Sequence, residues 1–554
     1  MRKIAVSVAL VGVMALLGLP AVQAVTEAGA ARSYVVKYEA GVSLAQARAA
    51  VRAAGGTILR ENVKVGVATV RSTNANFILD AAAQGALVGA ARNIPIGSTK
   101  PDDVRLARER LERAGPVGAS RPLEADVTST ETFSSLQWDM EMIDATEAGS
   151  YAVQKGDPRV IVASMDTGVD ATHPDIAPNF DAALSRNFTV DIPLVDGPCE
   201  EEPDASCSDP ADVDENGHGT HTSGTMAGAI NGLGISGVAP EVTLINVRVG
   251  QDSGYFFIQP FVDGLTYAAD IGVDVVNMSF FIDPWWMNCP SNAADSPEEQ
   301  AEQQTIIAAT TAALTYAHRH KVTIAAAAGN EVTDLGAPTI DDISPDFPPD
   351  TAKVRTVDNS CVVLPSEGKF VITTSALGPS GRKAYYSNWG LPEIDVSAPG
   401  GDRREFFGTP QYNAPENRVL SSYPYEVAIN TVPPDVDAAT CTSLDPLFVV
   451  DNSTGQCAVY AWFQGTSMAS PHAAGVAALI VSQFGHEDPT GGLSMNANEV
   501  QKVLQDTATD TPCPEPRLFV YPDAPGVFDA LCEGSPRTNG FYGRGIVNAL
   551  AAVS

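Results

Sequence analysis

The chain has 554 residues, 44% of them hydrophobic and 18% charged, which excludes a disordered chain or a coiled coil and leaves room for more than one domain. A formal net charge of −33 disfavours a phosphate-holding surface, so nucleic acid is not an expected partner. The charge is uneven: residues 1–121 carry 16 Lys+Arg against 8 Asp+Glu, and the remainder carries 18 against 59.

Arg2 and Lys3 precede an apolar run over residues 4–19, which closes in Ala21-Val22-Gln23-Ala24. That is the layout of a secretory signal cleaved after Ala24; the run is too short for a bilayer crossing and ends in Gly18 and Pro20. The expected product is secreted and extracellular, with no membrane attachment once residues 1–24 are removed. Eight cysteines, none before Cys199, suit an oxidising compartment. Short loop closure favours Cys199–Cys207, Cys441–Cys457 and Cys513–Cys532, leaving Cys289 for Cys361.

Residues 33–98 read as a small α+β unit. A strand at 34–38 is followed by an Ala-rich helix at 43–54, then Gly55-Gly56 and another strand. An alternating strand at 65–70 and a helix near 77–87 complete it. Residues 99–135 are polar and charged and read as a linker or solvated helix. From 136 to 554, short buried β-type runs (160–165, 243–249, 273–278, 322–328, 369–374) alternate with small-residue helices, the pattern of a mostly parallel α/β sheet. Residues 191–216, 282–295 and 402–462 read as loop insertions.

Three segments carry chemistry. The run Val160–Met165 delivers Asp166 to the carboxyl end of a strand, where open α/β sheets place active sites, although such an Asp is also an ordinary cap. Gly217-His218-Gly219-Thr220-His221 opens a small-residue helix, with glycines that let other groups approach the ring. Two His three apart could ligate a metal, but no Glu stands between them as in a zinc-protease helix, so zinc is not expected. Gly465-Thr466-Ser467-Met468-Ala469-Ser470-Pro471-His472 leads into an apolar helix at 473–484. Pro471 is expected in its first turn, where a missing N–H costs nothing, and Ser467 at the N-terminus, where free N–H groups and the macrodipole favour an oxyanion. A serine needs an adjacent base, itself oriented by a third group. Asp166, His218 and Ser467 supply the parts in the order Asp…His…Ser.

On these blocks the chain resembles secreted subtilisin-type serine endopeptidases (subtilases). Gly237-Val238-Ala239-Pro240, Val276-Asn277-Met278-Ser279, Ala327-Ala328-Gly329-Asn330, Ser397-Ala398-Pro399-Gly400 and Gly543-Arg544-Gly545-Ile546-Val547-Asn548-Ala549 support the likeness. The resemblance implies a three-layer α/β/α fold with a mostly parallel sheet over 136–554, preceded by an α+β inhibitory propeptide at 33–98 and a processing site within 99–135. It implies Ser467 as nucleophile, His218 as general base and then acid, and Asp166 as the group holding the imidazole. Asn330 and the Ser467 N–H would form the oxyanion hole. His221 and His472 read as structural. Ser279, Phe280, Ala328, Gly329, Val363 and Thr466 would bind substrate. Asp175, Asn231 and the carbonyls of Leu233 and Ile235 would hold a structural calcium, with no cofactor for catalysis. The expected partners are protein or peptide substrates and the chain's own propeptide, and the expected state is a monomer.

Two departures stand out. The substrate edge reads Ser279-Phe280-Phe281 where the family has Ser-Leu-Gly, and Trp285-Trp286 follows, so either the pockets are aromatic and narrowed or an insertion packs its own rings. Val363 at the S1 floor would disfavour large P1 side chains. The nine acidic residues between 196 and 215 read as a solvated face, with calcium binding or selection of basic substrates as alternatives. A catalytically silent binding protein of the same fold is opposed by the intact triad. An esterase would carry Gly-x-Ser-x-Gly and the order Ser…Asp…His.

Overall fold

The structure, a computed structural model, describes residues 31–93, 112, 116–118, 129–193, 195–201, 205–347, 351–489 and 491–554. The signal segment at 1–24 and most of the stretch 99–128 lie outside these residues.

The first unit runs β1 (Arg32–Tyr38), α1 (Leu44–Ala53), β2 (Gly56–Asn62), β3 (Val67–Ser72), α2 (Phe77–Ala82) and β4 (Leu87–Arg92). Its sheet has the order β2-β3-β1-β4, and the three pairings are antiparallel. Helix α1 starts where Ser43 Oγ accepts the Gln46 N–H and Gln46 Oε1 accepts the Ser43 N–H, a reciprocal cap. The helix expected to 87 stops at Ala82. Leu87–Arg92 instead completes the sheet by pairing with β1, a contact between segments some fifty residues apart that local pattern does not encode.

The larger unit is built on a seven-stranded sheet whose pairings are all parallel. Its strands are β5 (Ile161–Met165), β6 (Arg186–Asn187), β7 (Thr243–Arg248), β8 (Val275–Met278), β9 (Thr323–Ala327), β10 (Val371–Leu377) and β11 (Val396–Pro399), in the order β11-β10-β9-β8-β5-β7-β6. Successive residues feed opposite cores. Val162, Leu244, Val275 and Ala325 face helices α3 (His218–Ala227), α6 (Thr466–Phe484), α7 (Ala497–Thr507) and α8 (Ala549–Val553). Ala163, Ile245, Val276 and Ala326 face α4 (Ile258–Asp270) and α5 (Pro297–Arg319). This is the three-layer α/β/α arrangement. Strands are added on opposite sides of β5, so the order reverses there and leaves a crevice at the carboxyl ends.

The stretch 402–462 is not an irregular loop. It contains β12 (Val419–Tyr423), β13 (Phe448–Asp451) and β14 (Ala458–Phe463), an antiparallel sheet with its own apolar core, which leads directly into α6. The four disulfides are Cys199–Cys207, Cys289–Cys361, Cys441–Cys457 and Cys513–Cys532, the pairing that short loop closure favours. Residues 129–137 belong to the larger unit: Ser129, Glu131 and Gln137 are buried, and Phe133 N–H donates to Gly234 O (2.7 Å). The linker therefore ends before Ser129, earlier than its composition suggests.

The first unit lies on α4 and α5. Val35, Val67 and Ala91 join the core beneath these helices. Arg60 pairs with Asp263, Lys64 with Asp270, and Arg92 with Glu298 (3.0 Å) and Glu302 (2.9 Å). A Cβ on Gly89 would stand 2.6 Å from Thr305 Oγ1, so the strand approaches α5 as closely as a glycine allows.

Candidate active site

Asp166 follows β5 and is fully buried. Its Oδ1 lies 2.7 Å from His218 Nδ1 and also accepts the Thr167 N–H (2.8 Å), while Oδ2 accepts from Thr222 Oγ1 (3.3 Å). Fixed in this way, the carboxylate selects the tautomer that carries its proton on Nδ1 and turns Nε2 to the cleft. His218 is the first residue of α3, and its ring edge opens on the same cleft as Ser467.

Ser467 is the second residue of α6, which begins at Thr466 rather than at Pro471. Its N–H thus belongs to the turn that has no intrahelical partners. Pro471 is the sixth residue of the helix, not part of its first turn, so the bond it would have donated to Ser467 O is missing. Ser279 Oγ supplies that bond instead (2.9 Å), and is itself held by Asn277 Nδ2 (3.0 Å). In return, Ser467 Oγ donates to Ser279 O (3.3 Å). Asn330 follows β9 by three residues. Its Oδ1 accepts both Thr466 N–H and Thr466 Oγ1–H (2.9 Å each), which commits the oxygen and leaves Nδ2 as a donor.

One further group stands in the cleft. Glu112, from the stretch expected to be a linker, places Oε2 3.5 Å from His218 Nε2, and its carbonyl accepts the Gln464 N–H (3.2 Å). Nearby, Gly118 N–H donates to Asn413 O (2.8 Å). Burial opposes charge on His218, but the carboxylates of Asp166 and Glu112 outweigh it and hold the imidazole well above its ordinary pKa.

The cleft has a volume of about 470 Å³. Of the residues expected to bind substrate, Ser279, Phe280, Gly329, Val363 and Thr466 line it. Ala328 does not: β9 ends at Ala327, which takes the lining position, while Ala328 turns into a core with its carbonyl held by Asn388 Nδ2 (2.9 Å). The two readings of the aromatic edge divide between residues. Phe280 stacks on Phe256 (4.1 Å between centroids) and Trp286 faces the cleft, whereas Trp285 is buried under the Arg355 guanidinium. Val363 pairs with Met287 of the 282–295 insertion, and Cys289–Cys361 ties these strands together.

The remaining candidates concern metals and the other histidines. His221 Nε2 lies 3.0 Å from Ala461 O, with its ring stacked on Phe463, and His472 bridges Met468 O and Asp139; both are buried. Asp175 and the 231–235 loop come together: Asp175 Oδ1 accepts from Asn231 Nδ2 (3.2 Å), and Oδ2 accepts from Ile235 N–H (3.1 Å) and Tyr460 Oη (2.8 Å). Burial pushes the Asp175 carboxyl up to about 7. The donor set suits a hard cation in kind, yet Asn231 Oδ1 is turned to Leu233 N–H (3.0 Å), so an ion would need that amide to turn. Among the described residues, one group of three carboxylates could hold a metal: Asp191, Asp209 and Asp252. The buried Arg248 guanidinium stands against all three and supplies the positive charge. The acidic stretch therefore turns partly inward, against the expectation of a solvated face; Asp209 and Asp214 are both buried. Glu112 and Arg248 carried no motif that could have flagged them, since their partners lie on other elements.

Compared with known proteins, residues 157–544 match the model of the subtilase family. A thermophilic serine proteinase of Bacillus sp. (strain AK1) is 26% identical over 360 residues, 65% of this chain and 59% of that protein, so the chain spans under two thirds of that relative's length. Subtilisin DY of Bacillus licheniformis is 27% identical over 367 residues, 66% of this chain and 88% of that protein. Among solved structures, the epidermin leader peptide processing serine protease of Staphylococcus aureus superposes with a TM-score of 0.61 at 19% identity, covering 94% of this chain and 98% of its own.

Proposed function

The chain belongs to the subtilase family of serine proteases, and on that footing we propose that it is a secreted endopeptidase made as a self-processing precursor. The observation that carries this reading is the 2.7 Å Asp166–His218 contact opening on the cleft that holds Ser467 and Asn330. Ser467 Oγ attacks the scissile carbonyl and gives its proton to His218 Nε2, and Asp166 stabilises the imidazolium so formed. The oxyanion would be met by Asn330 Nδ2 and Ser467 N–H; losing such a side-chain donor costs about 10²–10³ in kcat. His218 then protonates the leaving amine, and water releases the acyl group by the reverse sequence.

Residues 33–98 are read as the intramolecular inhibitor, supported by their ion pairs with α4 and α5 and by Glu112 in the cleft. Self-cleavage is assigned between Glu112 and Ser129, since Glu112 reaches the triad and Ser129 is buried in the larger unit. Secretion is supported by the pattern of residues 1–24 and by the four disulfides. Among the described residues no helix is long and apolar enough to cross a membrane. No catalytic cofactor and a monomeric state remain part of the proposal, as does a structural calcium at Asp175.

The test compares the wild type with Ser467→Ala. The variant is expected to remain full length and to leave casein intact; maturation in isolation with casein degradation would refute the assignment. The same assay on a peptide library addresses Val363, with small P1 residues expected and dominance of Phe or Tyr counting against it.

A further inference from the structure

Asp214 lies in the acidic stretch before His218, a place where the sequence alone suggests a solvated carboxylate. It is instead buried, at 3% exposure, and accepts five hydrogen bonds. Oδ1 takes Gly217 N–H (2.9 Å), Asn216 N–H (3.2 Å) and Thr167 Oγ1–H (3.1 Å). Oδ2 takes Thr220 N–H (2.9 Å) and Thr220 Oγ1–H (2.7 Å). The donors come from two different turns, the one that follows Asp166 and the one that carries His218.

These turns are sewn together on both sides of that carboxylate. Thr167 Oγ1 accepts Gly219 N–H (3.1 Å) while donating to Asp214, and Thr220 Oγ1 accepts Asp170 N–H (2.9 Å) while donating to the other oxygen. Their backbones touch: a Cβ on Gly219 would stand 2.1 Å from Gly168 O, and one on Gly168 would stand 2.4 Å from Val213 O. Gly217 has φ +98°, so the His-bearing turn uses a conformation that side chains resist and needs its N–H groups anchored. Only an acceptor with two oxygens, each able to take more than one donor, satisfies all five groups at once.

We propose that Asp214 is a positioning residue of the peptidase site, holding the Asp166 and His218 turns in the register that sets the contact between their side chains. It touches neither substrate nor reacting atoms and acts through the imidazole. The inference rests on the protease reading above. A misplacement of about 1 Å costs roughly 100-fold in rate, whereas substrate subsites on other elements are left in place.

The test uses the processed wild type, Asp214→Asn and Thr167→Val, the last removing one bridge while keeping the shape. In Asp214→Asn one oxygen becomes an amide donor facing N–H groups. The expected result is a fall in kcat of about 10- to 100-fold with KM within about twofold. The acid limb of kcat/KM should move to lower pH, because a looser Asp166 contact no longer raises the His218 pKa; Asp166 and, before processing, Glu112 are the carboxylates against that ring. Thr167→Val should move both readouts the same way by less, and it decides the matter if Asp214→Asn does not fold. Unchanged kcat and acid limb in the folded variants, or a fall in kcat that tracks a lower Tm while the acid limb stays in place, would overturn the proposal. Absence of wild-type hydrolysis would sink the protease reading instead.

Discussion

At the scale of single residues, His218 lies between two carboxylates. Asp166 holds one ring nitrogen, and Glu112 reaches the other from a segment that the proposed processing would remove. An imidazole held protonated cannot accept the serine proton, so in the proposed precursor the same contact would both stabilise the fold and silence the base. The folded-state pKa of His218 lies well above its ordinary value. Its contribution to stability is therefore fully present below about pH 6.5 and is lost as pH rises through the folded value. In the uncleavable Ser467→Ala precursor, Glu112→Gln should lower the His218 pKa read by NMR. It should also lower the melting temperature between about pH 5 and 6.5, with the gap closing at higher pH. An unchanged titration would show that Glu112 does not act on the base. Asp166, His218 and Ser467 are legible in the sequence because each sits in a local block. Glu112 is not legible: its meaning depends on where a distant cleft lies.

Among elements, α6 illustrates how a local rule misplaces a boundary. Proline is favoured in a first helical turn, so Pro471 invites a start near residue 470. The helix starts at Thr466 because Gly465-Thr466-Ser467 is anchored from outside, by Asn330 Oδ1 on Thr466 and Ser279 Oγ on the carbonyl that Pro471 leaves unpaired. The 231–235 loop poses a similar question for its hydrogen bonds. Glu131 Oε2 accepts the N–H groups of Asn231, Gly232 and Leu233, and Tyr460 Oη reaches Asp175. If calcium joins this loop, a chelator should lower Tm in the wild type and have no effect in Asp175→Asn. An equal chelator effect in both would place the ion elsewhere, and none in either would remove it. Strands β5, β7, β8, β9 and β10 were legible because residues buried on both faces leave unbroken apolar runs, whereas the partly exposed two-residue β6 and the short β11 leave no such run. The sheet of β12, β13 and β14 was not, since its pairings span residues 419 to 463 and its segments read one by one as loop.

For the whole molecule, the charge asymmetry has a structural counterpart. The basic first unit meets the acidic larger one through Arg60, Lys64 and Arg92 against Asp263, Asp270, Glu298 and Glu302, with an apolar contact beneath. The exposed Lys64–Asp270 pair contributes little, whereas Arg92 reaches the buried Glu302 and adds to the apolar contact and the Gly89 approach. The length also resolves: what composition allows as several domains is a small unit and one large α/β/α body enlarged by disulfide-tied insertions. Everything proposed for the cleft depends on Ser467, activated by His218, being the nucleophile. A fluorophosphonate tests this directly, because it bonds phosphorus to an activated serine oxygen and expels fluoride. Peptide mapping of the processed enzyme should find one label per chain, on Ser467, and none in His218→Ala or in denatured protein. Full casein hydrolysis by labelled enzyme, or by enzyme whose Ser467 stays unlabelled under excess reagent, would contradict it.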